Sequence, residues 1–201
     1  MRHAGQVPFL YETALSLMES WAGGGLKRWR RALVRDARGR TLDLGCGTGR
    51  NFPLFRDACP VGLDPELASL RWARRRRRQV PLVRARAEAL PFRDGAFDTV
   101  VCGLVLCSVQ DPPRAVAEIH RVLRDDGELR CLEHVRGDGG WGRFQDAVQP
   151  LWTWLDGACR PNRSTERTVE AGGFRIADDR RAQGIMRLFR ARKAQRGSPR
   201  E

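Results

Sequence analysis

The chain has 201 residues, 41% of them hydrophobic and 30% charged, which is enough apolar material for a buried core and argues against wholesale disorder. It contains neither a run of about 18 consecutive apolar residues nor a charged and apolar leader, so we expect no transmembrane helix and no secretory signal, and we place the protein in the cytoplasm. The net charge of +13 by itself suggests a nucleic-acid partner, but nearly all of the basic residues are arginines, a bias that coding composition can produce.

The N-terminal stretch carries an apolar stripe near helical spacing between residues 7 and 21. We interpret residues 1–35 as a helical lid that closes over a ligand, with Tyr11 facing that ligand. The alternative is a helix that rests on a membrane surface. Glu12 and Glu19 dilute the cationic polar face that membrane docking prefers, so the lid is favoured.

A glycine-rich loop between two predicted strands is the most informative motif. The sequence at residues 41–49 is TLDLGCGTG, and VGLD follows at residues 61–64. This pattern predicts a strand at 41–44, a tight turn, a helix at 50–58 and a second strand that ends in Asp64. The run is G-x-G-x-G, with Arg50 where a dinucleotide fingerprint requires glycine. It therefore favours a ligand with a zwitterionic amino-acid tail over a diphosphate.

Alternating elements continue along the chain. We predict helices at residues 66–78, 113–123 and 165–171, and strands at residues 82–84, 99–106, 128–134, 174–177 and 183–189. An apolar, tryptophan-rich segment occupies residues 141–155. The order predicts an α/β protein with a Rossmann-like, mainly parallel twisted sheet and helices on both faces, a main domain at 36–190 and a disordered basic tail at 191–201.

Five consecutive arginines at residues 74–78 end one of these predicted helices. Cations are favoured at the carboxyl end of a helix, so we interpret this run as a solvated helix end. An acidic surface, an anionic lipid or RNA is the alternative partner, and we do not expect nucleic acid.

Cysteine and histidine spacing indicates free thiols and no metal site. The six cysteines form no C-x-x-C pair, and the three histidines, at positions 3, 120 and 134, lack ligand spacing. His134 follows a predicted strand at the sheet edge where open α/β proteins bind ligands. It is our candidate for contacting a substrate or taking its proton, and a purely structural histidine is the alternative.

Taken in order, these motifs resemble those of the class I S-adenosylmethionine (SAM) dependent methyltransferases. Residues 42–49 are similar to the family's first motif and Asp64 to the acid of its second, and AEALPF at 87–92, GAFD at 95–98 and EIHRVL at 118–123 follow in the family's order. The resemblance covers roughly residues 11–180. It implies SAM as cofactor and S-adenosylhomocysteine as product.

The resemblance also implies roles for particular residues. Asp43 and the loop residues would hold the methionine end, with Tyr11 at its carboxylate, and Asp64 the ribose hydroxyls. Arg86 stands where many members have an aspartate that contacts the adenine amino group, so that contact must come from the Ala87 backbone or from Glu88, and we assign it to Glu88. The residues expected to bind the cofactor are Tyr11, Asp43, Gly45, Cys46, Gly47, Gly49, Asp64, Pro65, Ala87, Glu88 and Leu104.

A narrower resemblance concerns the methyl acceptor. The segments CLEHV at 131–135, QPLW at 149–152 and GACRPNR at 157–163 are similar to a methyltransferase-like group that includes thiol S-methyltransferases. This favours methylation of a small, hydrophobic thiol with His134 as the catalytic residue and without a metal. N-methylation of an amine or a phosphatidylethanolamine head group, and a non-catalytic SAM- or RNA-binding module, remain alternatives, and the oligomeric state stays open.

Overall fold

A computed structural model describes residues 25–137, 139–156, 159–160, 162–182 and 186–194. Within them a seven-stranded sheet carries the fold. Its strands are β1 Gly39–Leu44, β2 Ala58–Asp64, β3 Leu82–Arg84, β4 Phe97–Gly103, β5 Leu123–His134, β6 Phe174–Ala182 and β7 Met186–Lys193. The helices are α1 Gly25–Val34, α2 Leu67–Arg76, α3 Pro112–Val122, α4 Gly139–Asp156 and α5 Thr165–Ala171.

The strand order is β3-β2-β1-β4-β5-β7-β6. The first five strands in this order pair in parallel, and β7 pairs antiparallel with both β5 and β6. From β1 the chain continues to β2 and β3 on one side of the sheet, and from β4 it continues to β5 on the other side. A crevice therefore opens between the carboxyl ends of the adjacent strands β1 and β4. The predicted Rossmann-like fold, mainly parallel with helices, is confirmed.

Successive residues of the central strands face opposite sides of the sheet, and each side carries its own apolar cluster. Val100 belongs to the cluster with Ile119 of α3, whereas its neighbour Val101 belongs to the cluster with Leu33 of α1 and Ala73 of α2. Burial on both faces is typical of parallel strands covered by helices, and it explains their nearly continuous apolar sequences.

Helix α1 is tied to the sheet by a buried arginine. The side chain of Arg130 on β5 is 2% exposed and donates to the carbonyl oxygens of Leu33, at 2.6 Å, and Ala32, at 3.2 Å. Its charge is balanced by Glu128, whose Oε1 lies 2.7 Å from Nη1. The last turn of a helix leaves carbonyl groups without helical partners, so this guanidinium satisfies the end of α1 while fixing its position.

The structure corrects the helix predicted at residues 50–58. This segment contains only a 3₁₀ turn, Phe52–Leu54, with i to i+3 hydrogen bonds from Phe52 N to Gly49 O and from Leu54 N to Asn51 O. Pro53 has no N–H group, and β2 already begins at Ala58 to pair with β1. The connection is therefore too short for the predicted helix.

Several other boundaries differ from the predictions: β5 begins at Leu123 instead of residue 128, and β6 runs to Ala182 instead of residue 177. Strand β4 ends at Gly103, short of residue 106, because Leu104 adopts φ 64°, outside the extended region. Strand β7 continues through Lys193, whose Nζ lies 2.9 Å from Asp125 Oδ1, so residues 191–193 belong to the sheet and not to a tail. The apolar segment at 141–155 lies within α4.

Two predicted segments fall outside the described residues: most of the lid at 1–35, which includes Tyr11, and the end of the tail. In the part of the chain that is described, Arg74, Arg75 and Arg76 form the exposed last turn of α2, as the helix-end interpretation expects. No helix in that part is both long and apolar enough to cross a lipid bilayer.

Candidate functional site

The glycine loop follows β1 with three left-handed residues, Gly45, Gly47 and Gly49, at φ 61°, 52° and 77°. A Cβ atom on Gly45 would come within 2.5 Å of Val105 Cγ2, and one on Gly49 within 2.7 Å of the Phe52 ring. Gly47 differs, since a Cβ there would meet nothing within 4 Å. Two of the glycines thus allow close packing inside the protein, and Gly47 leaves space open beside the loop.

Asp64 fixes the shape of this loop from the end of β2. Its Oδ2 accepts the Gly47 N–H at 2.9 Å and its Oδ1 accepts the Glu66 N–H at 2.8 Å. Burial raises the pKa of this carboxyl, and the two backbone N–H groups oppose that rise. An ionised carboxylate has about four acceptor positions, so Asp64 retains the capacity to accept hydrogen bonds from a diol.

Asp43 is the next-to-last residue of β1 and is completely buried. Asn51 Nδ2 donates to its Oδ1 at 2.9 Å, and Arg30 of α1 donates to Asn51 Oδ1 at 3.2 Å. Its Oδ2 is buried and has no hydrogen-bond partner. Burial raises the pKa of Asp43 from 3.8 to about 7, against the opposing effects of the Asn51 hydrogen bond and the Arg30 charge. A buried carboxylate oxygen without a partner is suited to receive a cationic donor.

A cavity of about 430 Å³ opens between the carboxyl ends of β1, β2 and β4. Its walls are more apolar than polar. The lining residues are Leu44, Gly45, Leu63, Asp64, Pro65, Glu66, Arg86, Ala87, Glu88, Leu104, Val105, Ser108, Val109, Gln110 and Arg160. Leu104 lines this cavity in the left-handed region, and such strain in a non-glycine residue often marks a functional position.

Glu88 stands on one wall with its carboxylate already engaged. Its Oε1 accepts the N–H of Gln110 at 2.9 Å and of Asp111 at 3.4 Å, and its Oε2 lies 3.5 Å from Arg86 Nε. Burial opposes its ionisation, but backbone N–H groups and Arg86 together lower the pKa of Glu88. Glu88 thus fixes the loop that forms the opposite wall, and Arg86 remains half exposed beside it.

The loop after β4 is held by Glu133, which is fully buried on β5. Its carboxylate accepts the N–H groups of Val105, Leu106 and Cys107 at 2.9 to 3.1 Å. Burial raises the pKa of Glu133 well above its usual value, although these three hydrogen bonds favour the ionised form. From the other side, Arg163 Nη1 donates to the Leu106 carbonyl at 2.7 Å.

Three potential metal ligands or nucleophiles meet behind this loop. Cys159 Sγ lies 3.8 Å from Cys107 Sγ and 3.6 Å from Nδ1 of His134, and the three donor atoms all lie within 4.8 Å of one another. Both thiols are buried, and His134 is half buried at the end of β5. The hydrogen bond from Cys159, together with burial, raises the pKa of Cys107 to about 12.

The structure brings many of the predicted site residues together. Gly45, Asp64, Pro65, Ala87, Glu88 and Leu104 line the cavity. Asp43, Cys46, Gly47 and Gly49 build the loop next to it without being among its lining residues, and Tyr11 lies outside the described residues. His134 and Glu133 are also not among the residues that line this cavity, so the role of His134 stays a prediction.

Sequence reasoning missed three features. It did not connect Arg30 and Asn51 with Asp43, and it did not identify the loop at 108–110 as a wall of the cavity. It also based the expectation of no metal site on sequence spacing, whereas Cys107, His134 and Cys159 lie far apart in sequence and meet only in the fold. Glu133 was the available signal in the sequence, because an acidic residue inside an apolar strand indicates that neighbouring groups donate hydrogen bonds to it.

Comparisons with known proteins agree with this geometry. Residues 42–131 match the protein family described as a methyltransferase domain. Human thiol S-methyltransferase TMT1B is 36% identical over 143 residues, which cover 66% of this chain and 59% of the human protein. Demethylmenaquinone methyltransferase of Renibacterium salmoninarum is 40% identical over 117 residues, 55% of this chain and 49% of that protein. The chain thus spans less than two thirds of the length of these relatives.

The fold comparison gives the same class. The crystal structure of an S-adenosylmethionine dependent methyltransferase from Mesorhizobium loti has a TM-score of 0.65 at 20% identity, covering 82% of this chain and 95% of that one. Residues 42–131 therefore carry a methyltransferase domain, set in the fold that SAM-dependent methyltransferases share. The predicted resemblance, the fold class and SAM as the cofactor agree with these comparisons.

The residues present fit SAM. The unpartnered Oδ2 of buried Asp43 can receive an ammonium group, and the space beside Gly47 can admit the amino-acid backbone of a ligand. Asp64 and the apolar side chains of Leu63 and Pro65 line the 430 Å³ cavity next to this loop, which suits a ribose and an adenine ring.

Proposed function

We propose that this protein transfers the methyl group of SAM to a small hydrophobic thiol. The similarity to the human thiol S-methyltransferase, which covers most of the methyltransferase fold, supports this choice of acceptor. In this proposal Asp43 and the glycine loop hold the methionine end of SAM, Asp64 the ribose, and Pro65, Ala87, Glu88 and Leu104 the adenine end and the cavity wall.

The observation that carries the proposal is the scarcity of a base among the described residues that line the cavity. Asp64 and Glu88 both use their carboxylates to accept backbone N–H groups, and the remaining lining carboxylate, Glu66, is exposed. A protonated amine or a hydroxyl group needs a well-placed base before it can attack a methyl group. A thiol with a pKa near 8.5 is already a few per cent thiolate at neutral pH, so it needs much less help.

The chain's own residues would then act mainly by positioning. Methyl transfer requires the acceptor atom in line with the bond that breaks, and orientation of this kind can account for roughly 7–11 kcal/mol of the barrier. The apolar walls of the cavity favour a hydrophobic acceptor and exclude water. His134 is the proposed group on the acceptor side, next to Cys159 and behind the loop that carries Ser108 and Val109.

A turnover assay tests this function. S-adenosylhomocysteine release would be measured with SAM and a panel of small thiols, amines, phenols, a demethylated quinol, phosphatidylethanolamine and RNA. We expect release with the thiols, at rates that follow the thiolate fraction as the pH and the pKa of the added thiol are varied. Turnover with an amine, a quinol or the phospholipid and none with any thiol would refute the proposed acceptor. RNA binding with a steep salt dependence and no turnover would favour a binding module instead.

The cofactor assignment has its own test in Asp64→Ala. We expect this change to weaken SAM binding strongly, because it removes both the proposed ribose acceptor and the group that holds Gly47 N–H. Asp126→Ala is the matched control, since that carboxylate is 82% exposed and pairs with Arg124 away from the cavity. Near-normal SAM affinity in a folded Asp64→Ala variant would contradict the assignment.

A further inference from the structure

The cluster of Cys107, His134 and Cys159 has the dimensions of a metal site. The Sγ atoms of the two cysteines are 3.8 Å apart, and Cys159 Sγ lies 3.6 Å from His134 Nδ1. In tetrahedral zinc sites the bonds are about 2.3 Å to sulfur and about 2.0–2.1 Å to nitrogen. These bond lengths place two sulfur ligands about 3.8 Å apart and a sulfur and a nitrogen ligand about 3.6 Å apart. Both measured edges therefore match those of a zinc tetrahedron.

The surroundings hold these three donors in place. Cys107 is 1% exposed and Cys159 is 7% exposed. Glu133 fixes the backbone of Cys107 by accepting its N–H at 3.1 Å, and the carbonyl of Cys107 accepts the N–H of Arg160 at 2.8 Å. The two cysteine-bearing segments are thereby joined directly beside His134 on β5. A site in which the supporting groups already orient the ligands loses little freedom when a cation binds.

The donor set selects the kind of ion. Two thiolates and an imidazole are soft to borderline ligands, which favour zinc over the hard cations magnesium and calcium. Two thiolates would also balance the charge of a divalent ion inside a buried site, where an unbalanced charge is costly. We propose that Cys107, His134 and Cys159 bind one Zn²⁺ ion, and that its fourth position is open to the acceptor thiol.

The fourth position is the part of this inference that rests on the proposed function. Among the residues that the structure describes, the cluster supplies three donors. Structural zinc sites use four protein ligands, whereas three ligands and an open position are typical of catalytic zinc. Ser108 and Arg160, the chain neighbours of Cys107 and Cys159, both line the cofactor cavity, so the cluster adjoins the space where an acceptor must lie. A thiol bound to zinc is deprotonated, and its sulfur remains a nucleophile.

The chemical balance is complete with these partners. The acceptor thiol loses its proton to solvent as its sulfur binds the ion. A new carbon–sulfur bond then forms to the methyl group while the bond to the sulfonium sulfur of SAM breaks, and that sulfur keeps the electron pair. The products are a neutral thioether, which is a weak zinc ligand, and S-adenosylhomocysteine, so no oxidant or reductant is required.

Metal binding is tested first on the wild-type chain. Protein purified under reducing conditions and stripped with a chelator would be titrated with Co²⁺, which reports on sulfur ligands and tetrahedral geometry through its absorption bands. We expect one Co²⁺ per chain with thiolate charge-transfer and tetrahedral d–d bands, displaced by one equivalent of Zn²⁺. Absence of stoichiometric binding, or an octahedral spectrum, would overturn the site, as would a mass loss showing that Cys107 and Cys159 form a disulfide under the same conditions.

Variants assign the ligands. Cys107→Ser, Cys159→Ser and His134→Ala should each weaken Zn²⁺ binding at least tenfold, and the cysteine variants should lose charge-transfer intensity. Cys59→Ser is the matched control, because Cys59 is an exposed cysteine outside the cluster. S-adenosylhomocysteine binding and the melting temperature show whether each variant is folded. Unchanged metal affinity in the folded cluster variants would overturn the assignment.

Turnover then separates this inference from the proposed function. We expect Zn²⁺ to raise the rate of thiol methylation by the stripped wild-type protein at least tenfold and to have no such effect on Cys107→Ser. Thiol methylation that is equally fast with and without metal would refute the open coordination position while leaving thiol methylation intact. Stoichiometric zinc with methylation of a different acceptor, or of none, would refute the thiol acceptor and leave only the metal site.

Discussion

The buried carboxyl of Asp43 should make SAM binding depend on pH near neutrality, a range in which an ordinary aspartate is already fully ionised. Asp43 is fully buried, and its pKa rises from 3.8 to about 7, first because of burial. At neutral pH this group is therefore only partly ionised. Its unpartnered Oδ2 attracts the ammonium of a ligand when the carboxyl is ionised and loses that attraction when it is protonated.

The magnitude follows from the fraction ionised. About one pH unit below its pKa a carboxyl is roughly one-tenth ionised, and half a unit above it roughly three-quarters, so affinity at about pH 6 should be roughly eightfold weaker than at about pH 7.5. The ligand of choice is S-adenosylhomocysteine, because it carries the same amino-acid end and cannot react. Isothermal titration calorimetry from about pH 5.5 to 7.5 would measure the change, with Asp43→Asn as the test variant and Asp126→Asn as the control.

The raised pKa of Asp43 makes the ligand-free protein less stable as the pH rises, whereas it makes SAM binding stronger. Between the unfolded pKa of 3.8 and the folded pKa of about 7, the folded state holds a proton that the unfolded state has lost. The contribution of Asp43 to stability is therefore full below about pH 4, declines as the pH rises towards 7, and is lost above it. A pKa rise of this size corresponds to about 4 kcal/mol. A wild-type affinity that does not change with pH, or an Asp43→Asn variant that keeps the wild-type slope, would refute this reasoning.

Two further substitutions test the loop and the anchor of α1. Gly47→Ala should weaken SAM binding at least tenfold, with a stability loss of about 1–2 kcal/mol. Gly95→Ala is the control: Gly95 has a similar φ of 59° and equally open space around it, so this variant should show only the stability loss. Equal SAM affinities for the two variants, measured by calorimetry, would contradict the role of Gly47. Arg130→Met should cost about 2–4 kcal/mol in urea unfolding, because two buried carbonyl groups of α1 lose their donor, while Arg124→Met, at a 55% exposed side chain, should cost less than about 1 kcal/mol. A small loss for Arg130→Met would show that α1 is held by apolar packing alone.

The sequence predicted the cofactor side of the fold because its signals are local. Glycines with positive φ and an acid at a strand end stand within a few residues of the groups that they position, as Gly47 and Asp64 do. Strand β3 and helix α5 were predicted at their observed bounds for a similar reason, since turn residues flank both. The helix at 50–58 was wrong because helix propensity says nothing about how early the next strand must begin.

The remaining parts of the site depend on contacts across the sheet. Arg30 is linked to Asp43 through Asn51, and Glu133 reaches the loop after β4 from the neighbouring strand. Such partners have no fixed spacing in the sequence, because the length of each connecting helix separates them. The end of β4 also depends on a contact across the sheet. Leu104 leaves the strand at the point where its N–H donates to the Leu132 carbonyl on β5 at 2.7 Å.

This division between local and distant signals also separates the two halves of the proposed reaction. The groups proposed for SAM lie on β1, β2 and the loops after β1 to β4, whereas Cys107 lies further along the loop after β4, His134 ends β5 and Cys159 follows α4. The two sets share no hydrogen bond among those described here, so a change in one set should leave the other intact. We therefore expect the free-energy effects of Asp64→Ala and Cys107→Ser on turnover to add in the double variant. A large deviation from additivity would mean that acceptor activation and cofactor binding act as one unit, coupled through the loop after β4 that lines the cavity.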